Sequence, residues 1–190
     1  MELVGVGTVA DQVAEGLRER GWDVRASADT GAGDLCGVLV DPGLLIPAGG
    51  GDEAADVVEL LRGAVDRARA RFPATGGRVV VLVSRDLLGA PARTAVAAAS
   101  GALVSAVRSL ALELGRSGIT VNVVVGLTDA GGDDQEDTVG AHVESLLPWD
   151  IECDDLAAAI SFLLDERSAY ITGQVLQCTG GASLLSSLSA

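Results

Sequence analysis

Along this chain, short runs of consecutive apolar residues alternate with longer stretches in which apolar positions return every three or four residues. The first pattern fits a buried strand, the second a helix with one buried face. Residues 2–7 (ELVGVG) form a short apolar strand running into glycines. Residues 9–21 have helical spacing, with Val9, Val13, Ala14 and Leu17 on one face and Gly21 at the end as a cap. Residues 22–27 (WDVRAS) predict a second strand and 30–34 a turn. The third strand, 35–41 (LCGVLVD), is almost continuously apolar, as strands inside a parallel sheet are. Residues 54–72 predict an amphipathic helix whose stripe is Val57, Leu60, Leu61, Ala64, Val65 and Ala68. A fourth strand is predicted at 78–84, a long helix at 94–114 and a strand at 119–124. A last long helix spans 155–166, with Asp154 or Asp155 as its N-cap, and residues 174–178 close the sheet. This alternation predicts an α/β fold: a doubly wound parallel sheet of about six strands, with right-handed crossovers and helices on both faces. The 47–53 stretch (PAGGGDE) is too short for an interdomain linker, so residues 1–190 read as one domain.

Composition narrows the picture. Apolar residues make up 48% of the chain and aromatic ones only 3%, so the core is built from Val, Leu and Ala. A net charge of −14 argues against nucleic acid or an anionic membrane surface as a partner. No apolar run reaches the ~18 residues of a membrane span. The start, MELVGVG, has no basic n-region, and the expected location is cytoplasmic. Cys36, Cys153 and Cys178 are odd in number and lack CxxC spacing, which points to buried free thiols and to no metal site. His142 is the only histidine, and the acidic run Asp129, Asp133, Asp134, Glu136 and Asp137 reads as a solvated loop. All 13 basic residues are arginine; there is no lysine, and Tyr170 is the single tyrosine.

Three stretches carry a family resemblance. They are 95–126 (AVAAASGALVSAVRSLALELGRSGITVNVVVG), 156–184 (LAAAISFLLDERSAYITGQVLQCTGGASL) and, more weakly, 38–43 (VLVDPG). Together they resemble the short-chain dehydrogenase/reductases, and within that family the β-ketoacyl carrier-protein reductase branch. The resemblance implies a Rossmann-like fold, an NAD(P) cofactor and a long helix that starts with a catalytic Tyr and, four residues on, a Lys.

The departures from that pattern fall on the chemistry. The Tyr and Lys positions hold Val96 and Ser100, which can neither protonate a carbonyl nor hold a ribose. The family's carbonyl-orienting Ser falls near Val83 or Ser84, and a Ser at a strand end also reads as a cap. The family's phosphate-binding glycines become Thr8 and Ala10; Gly5 and Gly7 stay nearby without the spacing and read as turn glycines. The family's Asn-Asn-Ala-Gly is replaced by a stretch holding Asp41 and Gly43. One edge unit of the family fold, between the second and third strands, is missing. Tyr170 reads as a packing residue. Gly5, Gly7, Asp41 and Gly43 are the residual cofactor candidates, and no cofactor is expected.

In the family, this long helix and the one before it build a bundle shared between subunits. Here the 95–114 helix keeps small residues at Ala95, Ala98, Ala99, Ala102 and Ala106, with Leu103 and Leu110 beside them. These are the expected interface residues. Arg62, Arg67, Arg69 and Arg71 read as ordinary surface charge, with an acidic partner as the sharper alternative. The leading expectation is a catalytically inactive subunit that pairs with an active homologous reductase, or with itself, as dimer or tetramer. Two alternatives stay open. One is a divergent NAD(P)H-dependent reductase of a ketone or β-ketoacyl thioester; the other is a homodimeric small-molecule binding module.

Overall fold

Branched side chains crowd a helix but pack well on a pleated surface, and the valine-rich stretches of this chain are its strands. A computed structural model describes residues 2–4, 8–26, 37–40, 53–89, 91, 93–126, 145–149 and 151–188. The elements are β1 (Glu2–Val4), α1 (Thr8–Glu19), β2 (Arg25–Ala26), β3 (Gly37–Val40), α2 (Glu53–Arg69) and β4 (Arg78–Ser84). Then come α3 (Thr94–Leu114), β5 (Thr120–Gly126), α4 (Cys153–Leu164), β6 (Val175–Gln177) and α5 (Ala182–Leu188). Among the described residues the six strands form one parallel sheet in the order β2-β1-β3-β4-β5-β6. The fold is therefore the expected doubly wound α/β sheet.

Alternate residues of a strand face opposite sides, and β4 and β5 use both. Val79, Val81, Val83, Val121, Val123 and Val125 point into a core closed by α2 and α3. Val80, Leu82 and Val124 point into a second core closed by α1 and α4. Asn122, buried in β5, ties that strand to the segment entering β6. Its amide donates to the Ile171 carbonyl (2.9 Å) and its oxygen accepts from the Gln174 N–H (3.1 Å).

The boundaries differ from the sequence pattern where a side chain has other work. The 22–27 strand shrinks to Arg25–Ala26 because Trp22 turns toward α4, where its indole N–H donates to Ser161 Oγ at 2.8 Å. The 54–72 helix stops at Arg69, and Phe72 folds against Gly77, where any Cβ would lie 2.4 Å from the ring. The last long helix starts at Cys153, not 155. Asp155 sits in its first turn and accepts from the Glu152 N–H (2.9 Å), while Asp154 pairs with Arg20; neither is the N-cap. The α5 helix has no counterpart in the periodicity reading. By length and composition alone, the helix over 94–117 could span a membrane, contrary to the run-length expectation. Its apolar content has a nearer use, since Leu103, Val107, Leu110 and Leu114 lie in the α2–α3 core.

Candidate functional site at the carboxyl edge of the sheet

In an open α/β sheet, ligands bind outside the carboxyl ends of the strands, where the strand order reverses. Here that point lies between β1 and β3. Gly5, Gly7, Asp41 and Gly43 lie outside the described residues, as do Cys36, His142 and the acidic run. Thr8 and Ala10 fall in the first turn of α1.

The end of β4 is described in full. Ser84 Oγ accepts from the Asp86 N–H (3.1 Å) and so caps the short helical turn Arg85–Leu88. The Asp86 carboxylate, 3% exposed, accepts from Arg93 Nε at 2.6 Å. This pair of a buried carboxylate and a half-exposed guanidinium ties the strand end to the start of α3. Ser84 thus acts as the cap that its strand-end position suggests. One turn into α3, Val96 leans on the α2–α3 core and Ser100 is buried. Neither side chain is an acid or a base. Tyr170, expected to pack, is instead fully exposed. It stands ahead of β6, at the amino edge of the sheet, and cannot reach this site.

At the end of β6, Gly180 and Gly181 take left-handed φ values of 58° and 87°. A short segment lies on this turn: Ser145 Oγ donates to the Gly180 carbonyl (3.0 Å), and the Leu146 N–H donates to the same oxygen (2.8 Å). Leu146, Leu147 and Trp149 are left exposed, as is Leu184 just beyond the turn. Sequence reasoning missed these residues; the paired glycines next to an apolar LLPW stretch were the available signal. The two described cysteines are free thiols, both pushed up in pKa by burial first and then by a nearby carboxylate. Among the described residues no group of three His, Cys, Asp or Glu side chains is placed to hold a metal.

The expected interface residues divide. Ala99, Leu103 and Leu110 belong to the protein's own core, because they lie on the side of α3 that faces the sheet; they are not available to a partner. Ala95 and Ala98 are exposed, and Ala102 and Ala106 are half-buried on the flanks. The outward stripe continues through Gly101, Ser105 and Ser109 to Leu112, which is 85% exposed.

A parallel sheet in this order, wrapped on both faces by helices, defines the class of Rossmann-like doubly wound proteins. Within it, the chain belongs to the short-chain dehydrogenase/reductase family: residues 58–183 match the family model described as enoyl-(acyl carrier protein) reductase. The 3-oxoacyl-[acyl-carrier-protein] reductases of several bacteria are among the matched relatives and place it in that branch. Two relatives come from Thauera aromatica. Subunit BbsD of (2S)-[(R)-hydroxy(phenyl)methyl]succinyl-CoA dehydrogenase is 39% identical over 115 residues, covering 57% of this chain and 45% of its own. Subunit BbsC of the same dehydrogenase is 39% identical over 123 residues, covering 60% and 46%. The chain spans about half the length of these curated relatives. The fold is also that of a Bacillus cereus enoyl-acyl carrier protein reductase crystallised with NADP+ and an indole naphthyridinone. There the TM-score is 0.77 at 15% identity, over 96% of this chain and 95% of that one.

At the two positions where the resemblance sets the family's Tyr and Lys, the structure has a half-buried Val96 and a buried Ser100, neither of them a phenol or an ammonium.

Proposed function

We propose that this chain is a non-catalytic subunit of a short-chain dehydrogenase/reductase assembly. It pairs through the outer face of α3, with α2 beside it, with an active homologous reductase or with itself, and so stabilises or shapes the assembly. The observation that carries this reading is a contrast within one helix. Val96 and Ser100 stand at the reaction positions, while the stripe from Ala98 to Leu112 presents small and apolar groups to solvent. Small residues let backbones approach closely, and an apolar helix face left in water is an association site. Two relatives from Thauera aromatica lend support, since each is a subunit of one dehydrogenase. The chain is proposed to bind neither NADH nor NADPH.

Sedimentation of the wild type and of Ala102→Arg tests the pairing: the wild type, alone or mixed with a homologous reductase, should form an oligomer that the variant loses. Nicotinamide fluorescence titration should show no saturation. Micromolar binding would revive the divergent reductase. A well-behaved monomer that ignores homologous reductases would remove the subunit role. The exposed cluster of Leu146, Leu147, Trp149 and Leu184 at the carboxyl edge favours, as a second reading, a module that binds an apolar small molecule there.

A further inference from the structure

At the amino edge of the sheet, on the face that α4 covers, two buried donors stand side by side without a partner. Alternation puts Arg78 of β4 and Thr120 of β5 on the same face as Val80, Leu82 and Val124, the α1–α4 side. The parallel register makes them neighbours across the ladder. Thr120 is 6% exposed, and its hydroxyl oxygen has no hydrogen-bond partner among the described residues. The same is true of the buried Nε of Arg78. Buried polar groups are nearly always satisfied, so two exceptions in adjacent positions call for a shared occupant. Arg78 is also a cation without a counter-charge. Among the described residues it forms no ion pair, and its Nη1 donates to the carbonyls of Gly77 (3.0 Å) and Gly118 (3.5 Å).

The occupant must accept hydrogen bonds, because a guanidinium N–H only donates. A water that accepted from both groups would need acceptors for its own two protons. The carbonyls beside these residues are engaged. Gly77 O takes the Thr120 N–H (3.0 Å) as well as Arg78 Nη1, which uses both of its lone pairs. The Ile171 carbonyl, next along β5, takes the Asn122 amide. An anion needs no acceptor and brings the missing charge. Leu164 of α4 roofs this row: a Cβ on Gly37, the register neighbour of Arg78 in β3, would lie 2.6 Å from its Cδ2. Under an apolar roof an unneutralised guanidinium is costly and its attraction to a counter-ion is strong. Both donor atoms are closed off from solvent, which favours a monatomic ion over a phosphate or sulfate. We propose that Arg78 and Thr120 form a binding site for a small monovalent anion of the halide class. The ion accepts from Arg78 Nε–H and Thr120 O–H and ties β4 to β5 where both strands begin. This site lies at the opposite end of the sheet from the carboxyl edge and on the opposite face from α3, so it is independent of the proposed pairing.

Thermal unfolding in sodium chloride and in sodium gluconate, at matched ionic strength, reads the site, because gluconate is too large to enter it. As chloride replaces gluconate, the melting temperature of the wild type should rise and saturate. At about ten times the dissociation constant the rise should be about 3–6 °C. Thr120→Val keeps the shape of the side chain and removes the hydroxyl, and it should lose most of that gain. Thr120→Ser restores the hydroxyl and should keep it. Arg78→Gln should lose it as well. Any lower starting stability of that variant, from its lost bonds to Gly77 and Gly118, cancels in the difference between the two salts. Bromide should act as chloride does in the melts and, soaked into crystals, should give an anomalous peak between Arg78 Nε and Thr120 Oγ1. A wild type that melts alike in both salts overturns the site. So does a chloride gain that Thr120→Val and Arg78→Gln both retain, since the ion then binds elsewhere. Density between the two residues with no anomalous signal identifies a water and also overturns it.

Discussion

The two helix layers cover one sheet with cores of similar make-up, yet their small residues are placed differently. In the α1–α4 layer the helices touch: a Cβ at Gly16 would lie 2.9 Å from the Cβ of Ala157. Arg20 bridges from the Gly16 carbonyl (2.8 Å) to the Asp154 carboxylate, and Trp22 reaches Ser161. Gln12 Oε1 accepts from the Cys153 thiol at 3.0 Å. Small residues here serve contact within the chain. In the α2–α3 layer Ala98, Gly101, Ser105 and Ser109 of α3 face outward, and a Cβ at Gly101 would meet nothing within 4 Å. The lesson is that alanine and glycine on a helix mark close approach only where a neighbour is already present. Elsewhere they mark room for one.

The largest test of this contrast puts one substitution in both layers. Ala157→Arg buries a guanidinium against Gly16, in a position with no accessible surface. A buried charge without a partner costs about 3–5 kcal/mol, a large share of the stability of a domain this size. Ala102→Arg sits on a half-exposed flank of α3, where surface substitutions stay within about 0.5 kcal/mol. Urea unfolding followed by circular dichroism, at a concentration where chains are separate, should find the first variant largely unfolded and the second intact. Equal damage from both would erase the distinction between the layers.

The sheet was legible because its signal is local. β4 and α3 fall where the pattern puts them, since Val runs and a helical stripe need no knowledge of the partner that covers them. The branch of the family was legible from the segments around β5 and β6. The errors share one cause, which is that a side chain's partner lies far away in sequence. Trp22 leaves its predicted strand for Ser161, and Asp154 leaves its capping role for Arg20. Tyr170 reads as packing from its place between the last long helix and the closing strand, and nothing in ERSAYITG says that its turn projects from the molecule. The interface list mixed both sides of α3. Alanine at 99 and alanine at 98 look alike in sequence, and only the direction of the sheet separates them. The Asp86–Arg93 pair was missed because neither residue belongs to a spacing motif.

A smaller effect bears on the carboxyl edge, where α3 begins. Ser84 directs its oxygen to the Asp86 N–H, and that turn carries the Asp86–Arg93 pair. Ser84→Ala should cost about 1 kcal/mol, the usual loss when a cap is removed. It should leave α3 in place, and the outer face of that helix should associate as before. A loss of association without a loss of stability would mean that the end of β4, and not α3, governs the pairing. Denaturation and sedimentation on the same samples separate the two.

The smallest effect comes from the paired charges of the α1–α4 layer. Three bonds from Arg167, two from its side chain and one from its backbone N–H, hold the Asp165 carboxyl down at about 2. The Arg20 and Arg25 guanidinium groups, through hydrogen bonds first, also hold Asp154 and Asp23 below the ordinary carboxylate range. A carboxyl with a depressed folded pKa stabilises the fold above its unfolded value, near 4, and that contribution fades as pH falls through the folded value. The melting temperature should therefore be insensitive to these groups from pH 7 to 5 and should decline between about pH 4 and 2. Asp23 and Asp154 are exposed and Asp165 is half-buried beside an exposed Arg167; ion pairs so open to solvent contribute little and are screened by salt, so the decline should be shallow and should flatten further at high salt. Asp165→Asn should remove its share of the slope without changing stability by much at neutral pH. A slope in Asp165→Asn equal to that of the wild type would mean that the Arg167 pair contributes nothing to the acid response of the α1–α4 layer.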